Sequence, residues 1–112
     1  MHYYSESEGK ERREAIEKII LQWPGVTSRK MFGCPAYMVN GRLFAFLISE
    51  GIVLTQIRHY ERKLLGEDFP VQSFQAGERE IAHWTQVTFT NLHKLPRIMT
   101  FVRKSYDEAA AR

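Results

Sequence analysis

Three apolar runs separated by two short polar turns occupy residues 31–57. The run 31–39 ends at Asn40-Gly41, the run 42–49 ends at Glu50-Gly51, and the run 52–57 closes the set. Asn-Gly between strand-like runs is a strong hairpin signal, because a two-residue type I′ turn needs positive φ at both positions. The pattern predicts an antiparallel meander with strands over 27–39, 42–49 and 52–57. Gly33 and Pro35 fall inside the first strand, and a proline cannot donate to a ladder, so a bulge or bend is expected there. A two-residue loop at Asn40-Gly41 sets Val39 opposite Arg42 and Tyr37 opposite Phe44. Side chains alternate between faces. One face then carries Tyr37, Val39, Phe44, Phe46, Ile48 and Val53, and the other carries Ala36, Met38, Leu43, Ala45, Leu47 and Leu54. Both are apolar. A sheet covered on one side only would show polar residues on the other, so this one is expected to be covered twice, by the chain's own elements or by another subunit.

Helical periodicity frames the meander. Residues 1–4 read as a frayed end. Ser5 and Glu8 have capping-box spacing. Ile16, Ile19, Ile20 and Trp23 recur at i, i+3, i+4 and i+7, Glu14 and Lys18 are an i,i+4 pair, and Pro24-Gly25 ends the helix. The charged run 10–18 reads as a solvated helix face. Residues 58–65 predict a short helix with Ile57, Tyr60 and Leu64 on one stripe and Gly66 at C′. A short strand is expected over 71–75, and a charged connection over 76–82. A half-wet strand toward an edge is expected over 84–90, where Val87 and Phe89 alternate with Gln86, Thr88 and Thr90. A last helix runs from about 92–96 to 110, with Pro96 in its first turn and Leu95, Met99, Val102, Tyr106 and Ala109 at helical spacing. The order α-β(3)-α-β(2)-α is an α+β single domain over 1–112, with helices set on a largely antiparallel sheet.

Composition narrows the function classes. The chain has 112 residues, 44% hydrophobic and 26% charged, values ordinary for a globular protein. The formal charge of +3 is spread evenly, whereas a nucleic-acid binder concentrates charge on one face. Cys34 is the only cysteine, so no intrachain disulfide forms. No apolar run approaches the ~20 residues of a membrane span, and the N-terminus lacks an apolar signal region. A cytoplasmic location without membrane contact is the expectation.

Each candidate chemistry has a plainer reading beside it. Cys34 sits between Gly33 and Pro35 at an expected bend, where a nucleophile would need a nearby base and a depressed pKa; a buried small residue explains it as well. His2, His59, His83 and His93 have no metal spacing, and Gly33, Gly41 and Gly51 form no phosphate-binding motif. No cofactor is expected. Lys94, Arg97, Arg103, Lys104 and Arg112 give the last helix a basic population. Lys94, Arg97 and Lys104 are the candidate nucleic-acid surface, although cations near a helix C-terminus need no ligand. Tyr37, Phe44 and Phe46 are the candidate partner interface, through a homodimer or a protein partner.

Val26-Thr27-Ser28-Arg29-Lys30-Met31-Phe32-Gly33, followed by Tyr37-Met38-Val39-Asn40-Gly41-Arg42-Leu43-Phe44-Ala45, resembles the N-terminal domain of TfoX/Sxy-type competence regulators. The shared pattern is k-M-F-G … y-x-v-x-G-k-x-F-A, and weaker agreement continues to the last helix. The resemblance implies a secretion-chaperone-like fold of the order read above. It also implies a non-enzymatic regulatory or protein-interaction role, with no catalytic residues to carry over. Many family members have a second glycine where Cys34-Pro35 stands, which implies a stiffer bend here. Members also carry a helical C-terminal domain, whereas this sequence ends at Arg112. A transcription-associated nucleic-acid module and a Cys34-based enzyme or small-molecule binder are the alternatives.

Overall fold

Asn40 and Gly41 turn the chain as expected in the computed structural model, which describes residues 2–112. Their φ values are 52° and 78°, and Val39 lies opposite Arg42. The same turn occurs one hairpin earlier, where the composition conceals it. Phe32 and Gly33 have φ of 55° and 75°, so the strand expected over 27–39 is in fact two, β1 (Val26–Met31) and β2 (Cys34–Val39). Pro35 causes no bulge. It lies opposite Lys30, and the pairing of β2 with the next strand begins only at Ala36, so no ladder bond is lost.

The remaining elements are α1 (Glu6–Ile20), β3 (Arg42–Ile48), β4 (Gly51–Leu54), α2 (His59–Leu65), β5 (Val71–Ala76), β6 (Arg79–Thr88) and α3 (Leu95–Ala110), the last preceded by a 3₁₀ turn. They form an α+β domain around one antiparallel sheet of order β1-β2-β3-β4-β6-β5. Outside the first hairpin the element order is as expected, with small displacements. The turn after β3 is Ser49-Glu50, which leaves Gly51 inside β4 opposite Ile48. Gly77-Glu78 is a tight turn, so most of the expected charged connection belongs to β6. That strand lies between β4 and β5, and β5 is the edge.

A bulge between Tyr37 and Met38 decides how the sheet is covered. It puts Tyr37 opposite Ala45 and Ala36 opposite Phe46, not Tyr37 opposite Phe44. Two aromatics expected on one face therefore part. Phe44 meets Trp23 and Tyr106 at centroid distances of 6.4 and 5.5 Å. Phe46 meets Phe74 and Trp84 at 5.1 and 5.5 Å. Helices α1 and α3 thus cover one face. The β5–β6 hairpin curls over the other through a second register shift at Ser73/Phe74. Residues 44–48 and 51–54 are buried throughout. The double cover expected from the sequence is supplied by the chain itself.

Other expectations are corrected by the same packing. Met1 lies outside the described residues, but Tyr3 and Tyr4 are not frayed. The Tyr3 carbonyl accepts from Ser49 N at 3.0 Å, its hydroxyl accepts from Gly77 N at 2.8 Å, and Tyr4 is buried. Ser5 is the N-cap of α1 without a side-chain capping bond; its own N–H donates to Ser49 Oγ instead. On α2 the buried residues are Glu61 and Leu65, while Tyr60 and Leu64 point outward. Glu61 turns inward because its carboxylate accepts from Arg58 N at 2.8 Å. Gly66 follows with φ −63°, so no left-handed cap forms. Helix α3 buries Met99, Val102, Tyr106 and Ala109 of the expected stripe, leaves Leu95 half-buried, and also buries Ile98, Phe101 and Ser105. Ser105 Oγ donates to Phe44 O at 2.6 Å and accepts from Gln56 N at 3.1 Å, which pins α3 to β3.

Candidate functional site

Helix α1 and the first hairpin enclose a cleft of about 580 Å³, whose lining includes Tyr4, Glu6, Arg13, Glu17, Ser28 and Lys30. Glu6, Arg13 and Glu17 are seven and four residues apart, so the helical repeat sets all three on one side of α1. Arg13 lies between the two carboxylates. Its Nη2 is 2.7 Å from Glu6 Oε2, and its Nη1 is 2.8 Å from Glu17 Oε1. Tyr4 donates its hydroxyl to Glu6 Oε1, and Tyr37, on β2, donates to Glu17 Oε2, both at 2.6 Å. The chain Tyr4–Glu6–Arg13–Glu17–Tyr37 ties helix to sheet through charge-assisted bonds.

These contacts fix protonation. Hydrogen bonds from Arg13 and Tyr4 hold the Glu6 carboxyl down at about 2. Burial, reinforced by Glu6, pushes the Tyr4 phenol up to about 12. Burial and then Glu17 push Tyr37 higher still, and Glu6 raises Arg13 further above its usual value. None of these four groups changes protonation near neutral pH. A carboxylate with a lowered folded pKa stabilises the fold above its ordinary pKa of 4.5. That contribution is lost as pH falls from there through about 2. Arg13→Ala is therefore expected to flatten the acid limb of stability between these values, measured by urea unfolding across the range.

The opposite wall is an open strand. β1 ends the sheet, and residues 27–30 are exposed. In a hairpin closed by a two-residue turn, the flanking pair, here Met31 and Cys34, exchanges both hydrogen bonds, and such pairs then alternate. Met31, Arg29 and Thr27 therefore bond to β2, whereas Ser28 and Lys30 turn N–H and C=O outward. Arg29 and Lys30 have no carboxylate partner among the described residues; Arg29 reaches only Met38 Sδ, at 3.8 Å. At one end of the strand stands Phe32, 52% exposed. A bulky residue at positive φ is strained, and Asn40 serves the equivalent position of the next hairpin. Leu21, at the C-cap of α1, is also exposed.

The residues singled out from the sequence fare differently. Tyr37, Phe44 and Phe46 are each 0% exposed, so they are core and present no surface to a partner. Cys34 is also fully buried, and burial pushes its thiol up to about 11, away from the thiolate a nucleophile needs. The basic residues of α3 do not form an open stripe. Arg97 pairs with Asp68 at 2.7 Å, Lys94 donates to Asp68 O at 3.1 Å, and Arg103 pairs with Asp107 at 3.0 Å. Lys104 is exposed. Among the described residues no three His, Cys, Asp or Glu side chains gather as a metal site would require, and no helix is long and apolar enough to cross a membrane. The cleft network itself escaped the sequence reading, which paired Glu14 with Lys18. The equally spaced Arg13 and Glu17 were the available signal.

No protein-family model, curated protein or solved structure matches the chain.

Proposed function

We propose that this chain is a non-catalytic protein-interaction domain that takes up an extended, acidic segment of a partner protein as an added strand on β1. The observation that carries the reading is the open β1 edge, with Ser28 and Lys30 directing backbone groups outward beside the α1 cleft. Strand addition draws affinity from main-chain bonds and selectivity from neighbouring pockets. Arg29 and Lys30 supply the preference for carboxylates, and charge on an edge also discourages indiscriminate pairing. Phe32 offers apolar contact at one end. A second copy of the chain is a poorer occupant. Edge-to-edge pairing would bring Arg29 and Lys30 of both copies into one short ladder, and β1 has no acidic residue to offset them. The resemblance of the Lys30-Met31-Phe32-Gly33 and 37–45 segments to TfoX-type N-terminal domains supports a regulatory role of this kind.

The test is NMR titration with a blocked peptide alternating Val and Glu, and with its Val–Lys counterpart. The acidic peptide is expected to bind with a Kd below about 1 mM, to shift and protect the Ser28 and Lys30 amides, and to fail against Arg29→Glu/Lys30→Glu. Ser28→Pro is expected to leave the fold intact, since its N–H faces solvent, and to weaken binding. Equal binding of both peptides, or shifts confined to another face, would overturn the reading.

A further inference from the structure

A second depression lies where the start of α2, the bulged part of β6 and the end of α3 meet. It consists of two adjoining hollows of about 510 and 280 Å³ that share Ile57, Arg58 and His83. Arg58 and Arg112 converge there on a single carboxylate, Glu108, at 3.2 and 3.6 Å. Arg62, one helical turn after Arg58, lines the smaller hollow. Its guanidinium is pinned by Ala82 O at 2.9 Å and Ser73 Oγ at 3.1 Å. Among the described residues it has no carboxylate partner. The other nearby acid, Glu61, is turned inward onto Arg58 N. Arg58 and Arg112 thus share the one carboxylate that lines the depression, Glu108, and Arg62 in the adjoining hollow has none, so arginines outnumber the lining carboxylates.

We propose that this depression binds a phosphoryl dianion, carried by a small phosphorylated molecule. A phosphoryl group presents three acceptor oxygens, enough to engage more than one of these arginines, where a carboxylate has two. Guanidinium forks suit phosphate oxygens, since each presents paired N–H donors in a plane. Arg62 is already oriented by its two backbone and side-chain acceptors, so little of its rotamer freedom remains to be lost on binding. His59 and His83 add ring N–H donors to the same hollow. Trp84 lines the larger hollow and offers a surface for the organic part of a monoester. The site is separate from the β1 edge and does not rest on the role proposed for it.

The experiment is a titration of the full chain with inorganic phosphate and with adenosine 5′-monophosphate, against chloride at matched ionic strength. It follows the arginine Nε–H signals and the two indole N–H signals by NMR. Both phosphates are expected to give saturable shifts at Arg58, Arg62 and Trp84, with Trp23 unmoved. Tighter binding of the monoester would identify an organic phosphate as the occupant, and equal binding would identify free phosphate. Arg58→Glu is expected to weaken binding at least about tenfold, a loss of about 1.4 kcal/mol. The Arg58 side chain is 65% exposed and makes one surface ion pair, so the fold should survive. Arg112→Ala serves as a second variant with a smaller loss in the same direction. Shifts no larger than those from chloride, or phosphate binding that is unchanged in both variants, would overturn the proposal.

Discussion

Phe46→Ala is expected to destabilise the isolated chain by about 3–5 kcal/mol, the usual cost of truncating a fully buried phenylalanine. The site offers little scope for collapse. Phe46 is clamped edge-on by Phe74 and Trp84, with Val53 and Ala36 beside it on neighbouring strands. Those two aromatics belong to the hairpin that curls over the face opposite the helices, and they also approach each other, at 6.1 Å. Removing the ring leaves a cavity and detaches that cover from the sheet. The total stability of a domain is roughly 5–15 kcal/mol, so the variant should melt far below the parent and lose hydrogen-exchange protection first in β5 and the outer half of β6. The measurement separates two roles for this residue. An interface aromatic, as the sequence pattern suggested, would leave the stability of the lone chain unchanged when truncated. A core aromatic would not. Urea unfolding at low concentration, where no association contributes, decides between them.

The different fates of Phe44 and Phe46 show where the sequence was readable. Alternation puts both on one apolar face that needs a cover and offers them to a partner, whereas both are buried within the chain itself, under different layers. What it missed is the bulge at Tyr37/Met38, because a bulge adds one residue to one strand without any compositional mark. From that point every face assignment slips, and one supposed patch becomes parts of two separate layers. The first hairpin failed for a related reason. Asn40-Gly41 advertises positive φ, but Phe32-Gly33 adopts the same backbone with a residue that disfavours it, so the pattern shows only a bend at Gly33 and Pro35 within one strand. Helix α2 is only seven residues long. Two turns allow more than one apolar stripe, and the capping demand of Arg58 N turned Glu61 inward and Tyr60 outward. The long helices carried enough repeats to fix their buried sides. The cleft joins residues 4, 6, 13, 17 and 37, from the N-terminal segment, α1 and β2. Its steps from Tyr4 to Glu17 lie within one short stretch of chain, and only the Glu17–Tyr37 bond, 20 residues apart, needs the fold to bring its partners together.

Gly51→Ala is expected to be the most damaging single-methyl change in the chain. The reason differs from that at the turn glycines. Gly33, Gly41 and Gly77 have positive φ and open space where a Cβ would stand, so substitution there strains only the residue itself, at a cost of roughly 1–2 kcal/mol. Gly51 shows no such φ. Its obstacle is external, since an added Cβ would lie 1.9 Å from Val87 O and 2.9 Å from Phe89 N. Both are backbone atoms of the chain running through and just beyond β6, and no side-chain rotation can clear them. The Glu50 carbonyl also accepts from Phe89 N at 2.9 Å, so the two segments are bonded at the point where the methyl must enter. The ladder there has to open, and Gly51 pairs with Ile48 on one side and Thr88 on the other, so the disturbance reaches three strands. A loss at or beyond the roughly 1–3 kcal/mol of ordinary overpacking follows, with early exchange of the Phe89 amide. Thermal and urea unfolding beside Gly41→Ala provides the comparison. If the Gly51 variant proves the milder of the two, β4 and β6 do not approach as closely as their pairing requires.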